Sequence, residues 1–519
     1  MSARRRPQLP LFVDRDLERA QLRELLDRPG PSLALVYGRR RVGKTYLLTH
    51  TWPDAQTFYF VAAEGTGTLN RRELVQAVAR HFQLKLDPSD YPTWRTVFRL
   101  LYELRSPEPL VVILDEFQYL MGTRDGVPSH LNAVHDVHHD ERPFVLVLCG
   151  SAVRTMEHLN AGDAPLYGRF TRTIRLEPFD YFDAAALVPV ATHRERAVAY
   201  GIVGGTPRYL RALRPERTLS ENIAAEVLAP SGQVRTQIET LIDQERGLRK
   251  TEEYKSILRA IGAGKTLAQE IADHVDVKND AAFKRMLNML HELGYVRAER
   301  NFAARNTHPF RYRLADPALQ FHAALVALFR SELAAYDPGE VWAREIAPAR
   351  LDTYMGSVFE RIARAGYQRH RQRLGLPMID TWGRWEGTIT PQRGNGEPRS
   401  YEMDVVASLT DGRIMTGAIK WGDLGLDVHA KHLRELAVLA DAGQRWAVDA
   451  LRHAAPLLYV TGGKLAPNFR TRAEQDGHAV ITLTLDDLYH GMKPVVAPLA
   501  PPGSTPRTAS TSRRRQTKK

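Results

Sequence analysis

The chain has a single cysteine, Cys149, among its 519 residues. One thiol cannot close an intramolecular disulfide or build a cysteine zinc site, so neither staple is available, which fits a reducing compartment. No run of about 18 or more uncharged apolar residues is present to span a bilayer. The start, MSARRRPQLP, lacks the apolar stretch of a secretory signal. A cytoplasmic protein with no membrane partner is therefore expected. A broadly basic body is missing as well. The formal charge is +12, but six basic residues lie after position 496 without an acid (Arg507, Arg513, Arg514, Arg515, Lys518, Lys519), and Arg4, Arg5 and Arg6 add three at the start, which leaves +3 for everything between. The overall charge thus says little about the folded surface, and the tail reads at best as a sequence-independent phosphate tether. No internal repeat recurs, so each segment has to be read on its own terms.

A hydrophobic content of 43% supports folded domains, and the length suggests roughly three or four of them at about 100 to 200 residues each. The first segment carries the short, continuous, β-branched runs SLALVY (32–37), TFYFV (57–61), PLVVILDE (109–116) and FVLVLCG (144–150). Separated by amphipathic stretches, such runs predict a parallel sheet with helices on both faces. From about 217 the pattern turns helical, through TEEYKSILRAI, TLAQEIADHV and DAAFKRMLNMLHELGYV, and then gives the short extended pieces VRAER and FRYRL. Three helices and a small hairpin in that order predict a winged helix-turn-helix. A mixed pattern follows, with a helix around VFERIARAG, strands at SYEMDVVASL, RIMTGAIKW and PLLYVTG, and a helix at HAKHLRELAVLADA. The fold expected is multidomain α/β. It comprises a basic extension (1–10), a P-loop domain (11–215), a helical region with a winged helix (216–330), a second α/β domain (331–495) and a disordered basic tail (496–519).

SLALVY leads into Gly38, Arg39, Arg40, Arg41, Val42, Gly43, Lys44 and Thr45 and then into YLLTH, which puts the G-x-x-x-x-G-K-T spacing in its strand–loop–helix context. Glycines there let backbone N–H groups wrap phosphates at a helix N-terminus. Lys44 is expected to reach the β- and γ-phosphates of ATP and Thr45 to ligate Mg²⁺. A second G-K-T, in IGAGKT (261–266), is rejected, because Arg259 stands where the first glycine belongs and the preceding segment is helical. Asp115 and Glu116 end a predicted strand, where Asp115 is expected to hold Mg²⁺ through water and Glu116 to act as general base. Ser151 reads either as a γ-phosphate sensor or as a helix N-cap. Arg169 reads either as a transition-state arginine, in its own chain or across a subunit boundary, or as half of a structural ion pair.

In this order FVDRDLERAQL, YGRRRVGKTYLL, VVILDEFQYL, LCGSAVRTM, PLYGRF and YGIVGGTPRYL resemble the archaeal-type ATPases, a P-loop group related to AAA+ and STAND proteins that also occurs in bacteria. The resemblance implies that Lys44, Thr45, Asp115 and Glu116 carry nucleotide binding and hydrolysis, with Ser151 sensor-like and Arg169 the finger candidate. It also implies that GGTPRYL closes the pocket, with Arg208 as a phosphate contact. Such domains are often followed by a winged helix and a domain of the restriction-endonuclease fold, and YRLADPALQFHA resembles the usual junction between those two.

DAAFKRMLNMLHEL is expected to be the recognition helix, with Lys278, Asn279, Lys284 and Arg285 placed for a DNA groove, although Asp280 dilutes their charge and such units also serve as packing or dimerisation modules. Leu287, Leu290 and Leu293 read as core. In the last domain Glu360, Glu402, Asp404 and Lys420 outline a nuclease-like Mg²⁺ site. Ala418 stands where an acid belongs, so a plain cross-strand pair between Asp404 and Lys420 is an equal reading. His135, His138, His139 and Asp140 read as a solvated helix end, not a metal site. The function expected is an ATPase that works as a conformational switch or motor on DNA, with weak or absent cleavage. The rival is a STAND-type nucleotide-gated scaffold with a protein partner, and a homo-oligomer is compatible with both.

Overall fold

The computed structural model describes residues 13–496 apart from 122–124, 139–141, 246–247, 305–307, 391–396 and 453–454. The basic N-terminal extension, the tail from 497 onward, and His139 and Asp140 lie outside the described residues.

The first sheet has five parallel strands, β1 (Pro31–Tyr37), β2 (Thr57–Val61), β3 (Leu110–Asp115), β4 (Phe144–Gly150) and β5 (Arg172–Arg175), in the order β2-β3-β4-β1-β5. The continuous apolar runs are explained by two buried faces. Alternate residues point opposite ways, so Leu33, Leu35, Val112, Leu114, Leu146 and Leu148 enter one core while Ala34, Val36, Val111, Ile113, Val145 and Val147 enter the other. The helix α1 (Lys44–Thr51) packs on the second face through Leu47 and Leu48. β5 was not expected from the sequence. This order places β4 between the P-loop strand β1 and the acid-bearing strand β3, so the residue after β4 lies between Lys44 and Glu116.

Three helices follow a helical connection: α2 (Thr251–Gly262), α3 (Ala268–His274) and α4 (Ala281–Glu292). The antiparallel pair β6 (Val296–Glu299) and β7 (Arg311–Leu314) comes next. Asp280 caps α4 by accepting the Ala282 and Phe283 amides, and Phe283, Leu287 and Leu290 form its buried stripe. Lys278, Lys284 and Arg285 are exposed, whereas Asn279 is half-buried and donates to Gln269 Oε1 at 3.1 Å.

The second sheet is mixed. Its strands β8 (Ile379–Ile389), β9 (Arg399–Leu409), β10 (Ile414–Lys420), β11 (Leu457–Thr461) and β12 (Val480–Thr484) lie in the order β12-β11-β10-β9-β8. The β8–β9 and β9–β10 pairs are antiparallel and the rest parallel. The long helix α5 (Leu351–Leu374) and α6 (Leu426–Asp441) pack against the sheet. One apolar cluster runs from Phe179 through α2, α4 and α5 to Tyr489. Polar ties reinforce it: Tyr181 donates to Leu488 O at 2.5 Å, Arg369 pairs with Asp180 at 2.8 Å and Asp183 at 2.6 Å, and the Val495 amide donates to Ala186 O at 2.9 Å. Among the described residues no helix is long and apolar enough to cross a membrane.

Candidate nucleotide site

The turn after β1 depends on its glycines. Gly38 has φ +154°, and a Cβ there would lie 2.2 Å from Leu176 O, while Gly43 has φ +98°. Arg41 (φ 72°) and Glu116 (φ 52°) also hold left-handed backbone without being glycine, the kind of local strain that concentrates at functional sites. Lys44 turns back over the loop and donates to Gly38 O at 2.8 Å and Arg39 O at 3.1 Å. Burial pushes its ammonium below the usual lysine range, and Glu116 and Asp115 draw it back up. A buried cation held only by carbonyls and nearby acids fits an anion such as a phosphate.

Asp115, 4% exposed, accepts three bonds: from Thr45 Oγ1 at 3.1 Å, from the Glu116 amide at 2.8 Å, and from the Tyr59 hydroxyl. The hydroxyl and carboxylate oxygens of Thr45 and Asp115 are hard donors of the type Mg²⁺ takes, so these residues fit the ion. When bound, Mg²⁺ supplies charge neutralisation at the β- and γ-phosphates. Glu116 Oε2 accepts from Ser151 Oγ at 2.9 Å and from the Gln118 amide. Ser151 therefore does not cap the next helix, whose cap position is Ala152 with no side-chain bond. Its hydroxyl instead orients Glu116.

These groups line a cavity of about 680 Å³ together with Arg40, Arg208 and Arg211. Val13, Phe179 and Leu187 form an apolar wall suited to a base. Gly205 lets this wall close, since a Cβ there would lie 1.8 Å from Phe179 O. Arg208 and Arg211 are exposed at the rim.

Two expected phosphate contacts turn elsewhere. Arg39 is buried, 3.3 Å from Asp316 and stacked 4.4 Å over the Tyr295 ring. Arg41 donates to Gln237 O and Gln244 Oε1, both at 3.1 Å. Their backbones still shape the loop, but their side chains hold the helical region. Arg169 also departs from the finger expectation within its own chain. It sits just before β5, beyond the amino edge of the sheet, and pairs with Asp136 at 2.6 Å, whereas the cavity opens at the carboxyl edge. Gln118, Tyr59 and Asp316 lay inside quoted motifs without an assigned role; only their geometry identifies them.

In the last domain Glu360, Glu402 and Asp404 do converge, with ligand atoms within 4.8 Å of one another, the one such group among the described residues. Two side-chain cations already occupy the cluster. Arg384 donates to Glu360 at 3.1 Å and also to Glu402, and Lys420 donates to Asp404 at 3.1 Å. Burial raises the Glu360 carboxyl to about 7 despite the Arg384 charge beside it. Ala418 is buried among Leu424, Tyr459 and Phe469, so no acid enters from that slot. His135 bonds the Tyr102 hydroxyl at 2.9 Å and is half-buried, less solvated than the expected helix end.

Residues 12–213 match the model of an ATPase domain found predominantly in Archaea, and residues 324–433 match that of archaeal and bacterial proteins of unknown function. An uncharacterized protein of Methanocaldococcus jannaschii is 24% identical over 418 residues, covering 80% of this chain and 88% of that one. Among solved structures, the Walker-type ATPase of Pyrococcus abyssi superposes with a TM-score of 0.46 at 21% identity, covering 62% of this chain and 99% of that one. The Aeropyrum pernix ORC2 protein gives 0.41 at 18% identity, covering 63% and 96%. Residues 12–213 are thus similar to an ATPase domain found predominantly in Archaea, and behind them residues 324–433 are similar to a domain of archaeal and bacterial proteins of unknown function.

Proposed function

We propose that the protein binds ATP with Mg²⁺ at this P-loop, hydrolyses it, and uses the cycle as a conformational switch or motor acting on DNA. In this reading Lys44 and the loop amides hold the β- and γ-phosphates, Thr45 and Asp115 hold Mg²⁺, and Glu116 takes the proton from the attacking water. Ser151 and Gln118 fix the Glu116 carboxylate, and Arg208 closes over the phosphates from the rim. The unit α2–α4 with its β6–β7 hairpin serves as a winged helix toward DNA, and the second sheet is a restriction-endonuclease-like domain. Any finger role for Arg169 belongs to a neighbouring subunit.

The observation that carries the switch is the path of Arg39 and Arg41. Both leave the phosphate loop and end on the helical region, Arg39 in a buried pair with Asp316 at the start of the junction to α5. A loop that closes on a phosphate moves the base of both side chains, and so biases the packing of everything they hold. The test is the ATP turnover rate with and without duplex DNA, for which stimulation is expected. Indifference to DNA combined with sensitivity to a protein partner supports the rival, a nucleotide-gated scaffold. Arg384 favours that rival on one point: with its guanidinium on both Glu360 and Glu402, two of the three carboxylates, metal-dependent cleavage is weak or absent.

A further inference from the structure

A second cavity, of about 1120 Å³, lies between the three-helix unit, α5 and the second sheet. Its wall holds far more arginine than acid. The acids it does hold are engaged: Glu360 by Arg384, Asp404 by Lys420, and Glu299 by Arg313 at 3.8 Å. Four arginines, Arg297, Arg350, Arg361 and Arg364, have no carboxylate within ion-pair distance among the described residues. Arg361 spends its guanidinium on the Leu314 and Ala315 carbonyls. Arg350 and Arg364 are exposed on the cavity wall, with no hydrogen bond from their side chains among the described residues.

Their spacing is ordered. Arg361 and Arg364 are one turn apart on α5, and Arg350 is the N-cap residue at its start, so the three are spread over a rise of about 21 Å along the same cavity wall. Arg297 approaches from β6. Burial, followed by the nearby Arg361 charge, pushes its guanidinium down to about 10. Crowded like charges in a partly enclosed space call for a polyanion. The cavity runs between the three-helix unit, α5 and the second sheet, and a basic groove with ring surface beside it is the arrangement that follows a single strand. The cavity is also larger than the roughly 300–1,000 Å³ of most small-molecule sites. Trp382, half-buried on the same wall, offers ring surface for a base.

We infer that this cavity holds a segment of single-stranded nucleic acid, with phosphates on Arg350 at the start of α5, on Arg361 and Arg364 within it, and on Arg297 of β6. The choice of ligand rests on the nucleic-acid reading above, and the site adds to it a location away from the expected recognition helix α4. The test uses the full chain, an end-labelled twelve-residue oligothymidine followed by fluorescence anisotropy at several salt concentrations, and the variant Arg350→Glu/Arg364→Glu. Wild type is expected to bind with strong salt dependence. The variant should lose at least about tenfold in affinity, and its salt slope should fall by about 1.4, since each single-strand phosphate contact contributes about 0.7. Basal ATP turnover stays unchanged, and Arg350→Lys/Arg364→Lys keeps the slope, so misfolding is distinguished from lost contacts. Equal affinity and slope in the glutamate variant would overturn the site while leaving DNA-stimulated turnover as a separate question. A wild type that binds no oligonucleotide, with or without ATP, overturns the site and its choice of ligand together.

Discussion

Ser151 offers the sharpest test of how the nucleotide site works, because it holds Glu116, the proposed general base, through a direct hydrogen bond. Its hydroxyl donates to Glu116 Oε2 at 2.9 Å from a position 5% exposed on the cavity wall, so Ser151→Ala removes a fixed donor that a water entering the cavity replaces without the same geometry. A hydrogen bond to a charged acceptor is worth about 1.5–3 kcal/mol. At about 1.4 kcal/mol per decade the full loss corresponds to roughly 10- to 150-fold in kcat. Gln118 still holds the same oxygen, so the lower end, about 10- to 30-fold, is expected. KM for ATP should move by less than about threefold, because uniform binding is untouched. Glu116→Gln should keep ATP bound and lower turnover by about 10²- to 10⁴-fold. Adding Ser151→Ala to it should then cost almost nothing more, since a positioning residue has nothing left to position. Ser151→Thr, which keeps the hydroxyl, should recover most of the rate. Steady-state phosphate release across this cycle decides the matter. An unchanged kcat in Ser151→Ala, or full additivity in the double variant, refutes the argument.

Lys44→Ala should abolish nucleotide binding or turnover, as read by filter binding and phosphate release; wild-type turnover would sink the site assignment. Arg39→Met leaves Asp316 buried and unpaired, so denaturant unfolding should register a loss of about 3–5 kcal/mol. A loss under about 1 kcal/mol would show the pair is not desolvated. For Glu360 the folded carboxyl is raised from 4.5 to about 7, so its stabilising contribution is complete below 4.5 and disappears as pH rises through 7. Relative to Glu360→Gln, the wild type should lose about 3 kcal/mol across that window. Equal pH profiles for the two proteins in urea unfolding would contradict the burial of that group.

Legibility in the sequence tracked how local the cause was. β1, β3 and β4 showed themselves because a strand buried on both faces must be apolar throughout, and the P-loop because its spacing is fixed by the size of a phosphate. β5, RTIR, was missed, since a four-residue edge strand with two arginines carries no such signature. β8 was missed for a related reason: IDTWGRWEGTI is mostly half-exposed and interrupted by register shifts against β9. The arginines were the hardest to read. Arg39 and Arg41 sit in phosphate-loop positions, yet their side chains answer to Asp316, Gln237 and Gln244, some 200 to 280 residues away. Arg384 likewise gives no hint within WGRWEG that its guanidinium enters a carboxylate cluster drawn from α5 and β9. Glu360, Glu402 and Asp404 were grouped with Lys420 by residue type and order along expected elements, whereas Arg384 depends on β8, a strand that was not expected.

The ties between the helix Tyr181–Leu187 and the segment around Leu488 to Val495 bear on how the chain comes apart. Because Leu488 and Val495 fasten onto the helix Tyr181–Leu187 of the ATPase region, the polypeptide between them forms a ring held shut by non-covalent contacts. A protease that nicks an exposed loop inside the ring should leave two fragments that still migrate as one particle. Split versions expressed as separate halves should find each other for the same reason. A second domain expressed alone, by contrast, would uncover Tyr489, 1% exposed in the intact chain, where Tyr181 and His193 now cover its ring.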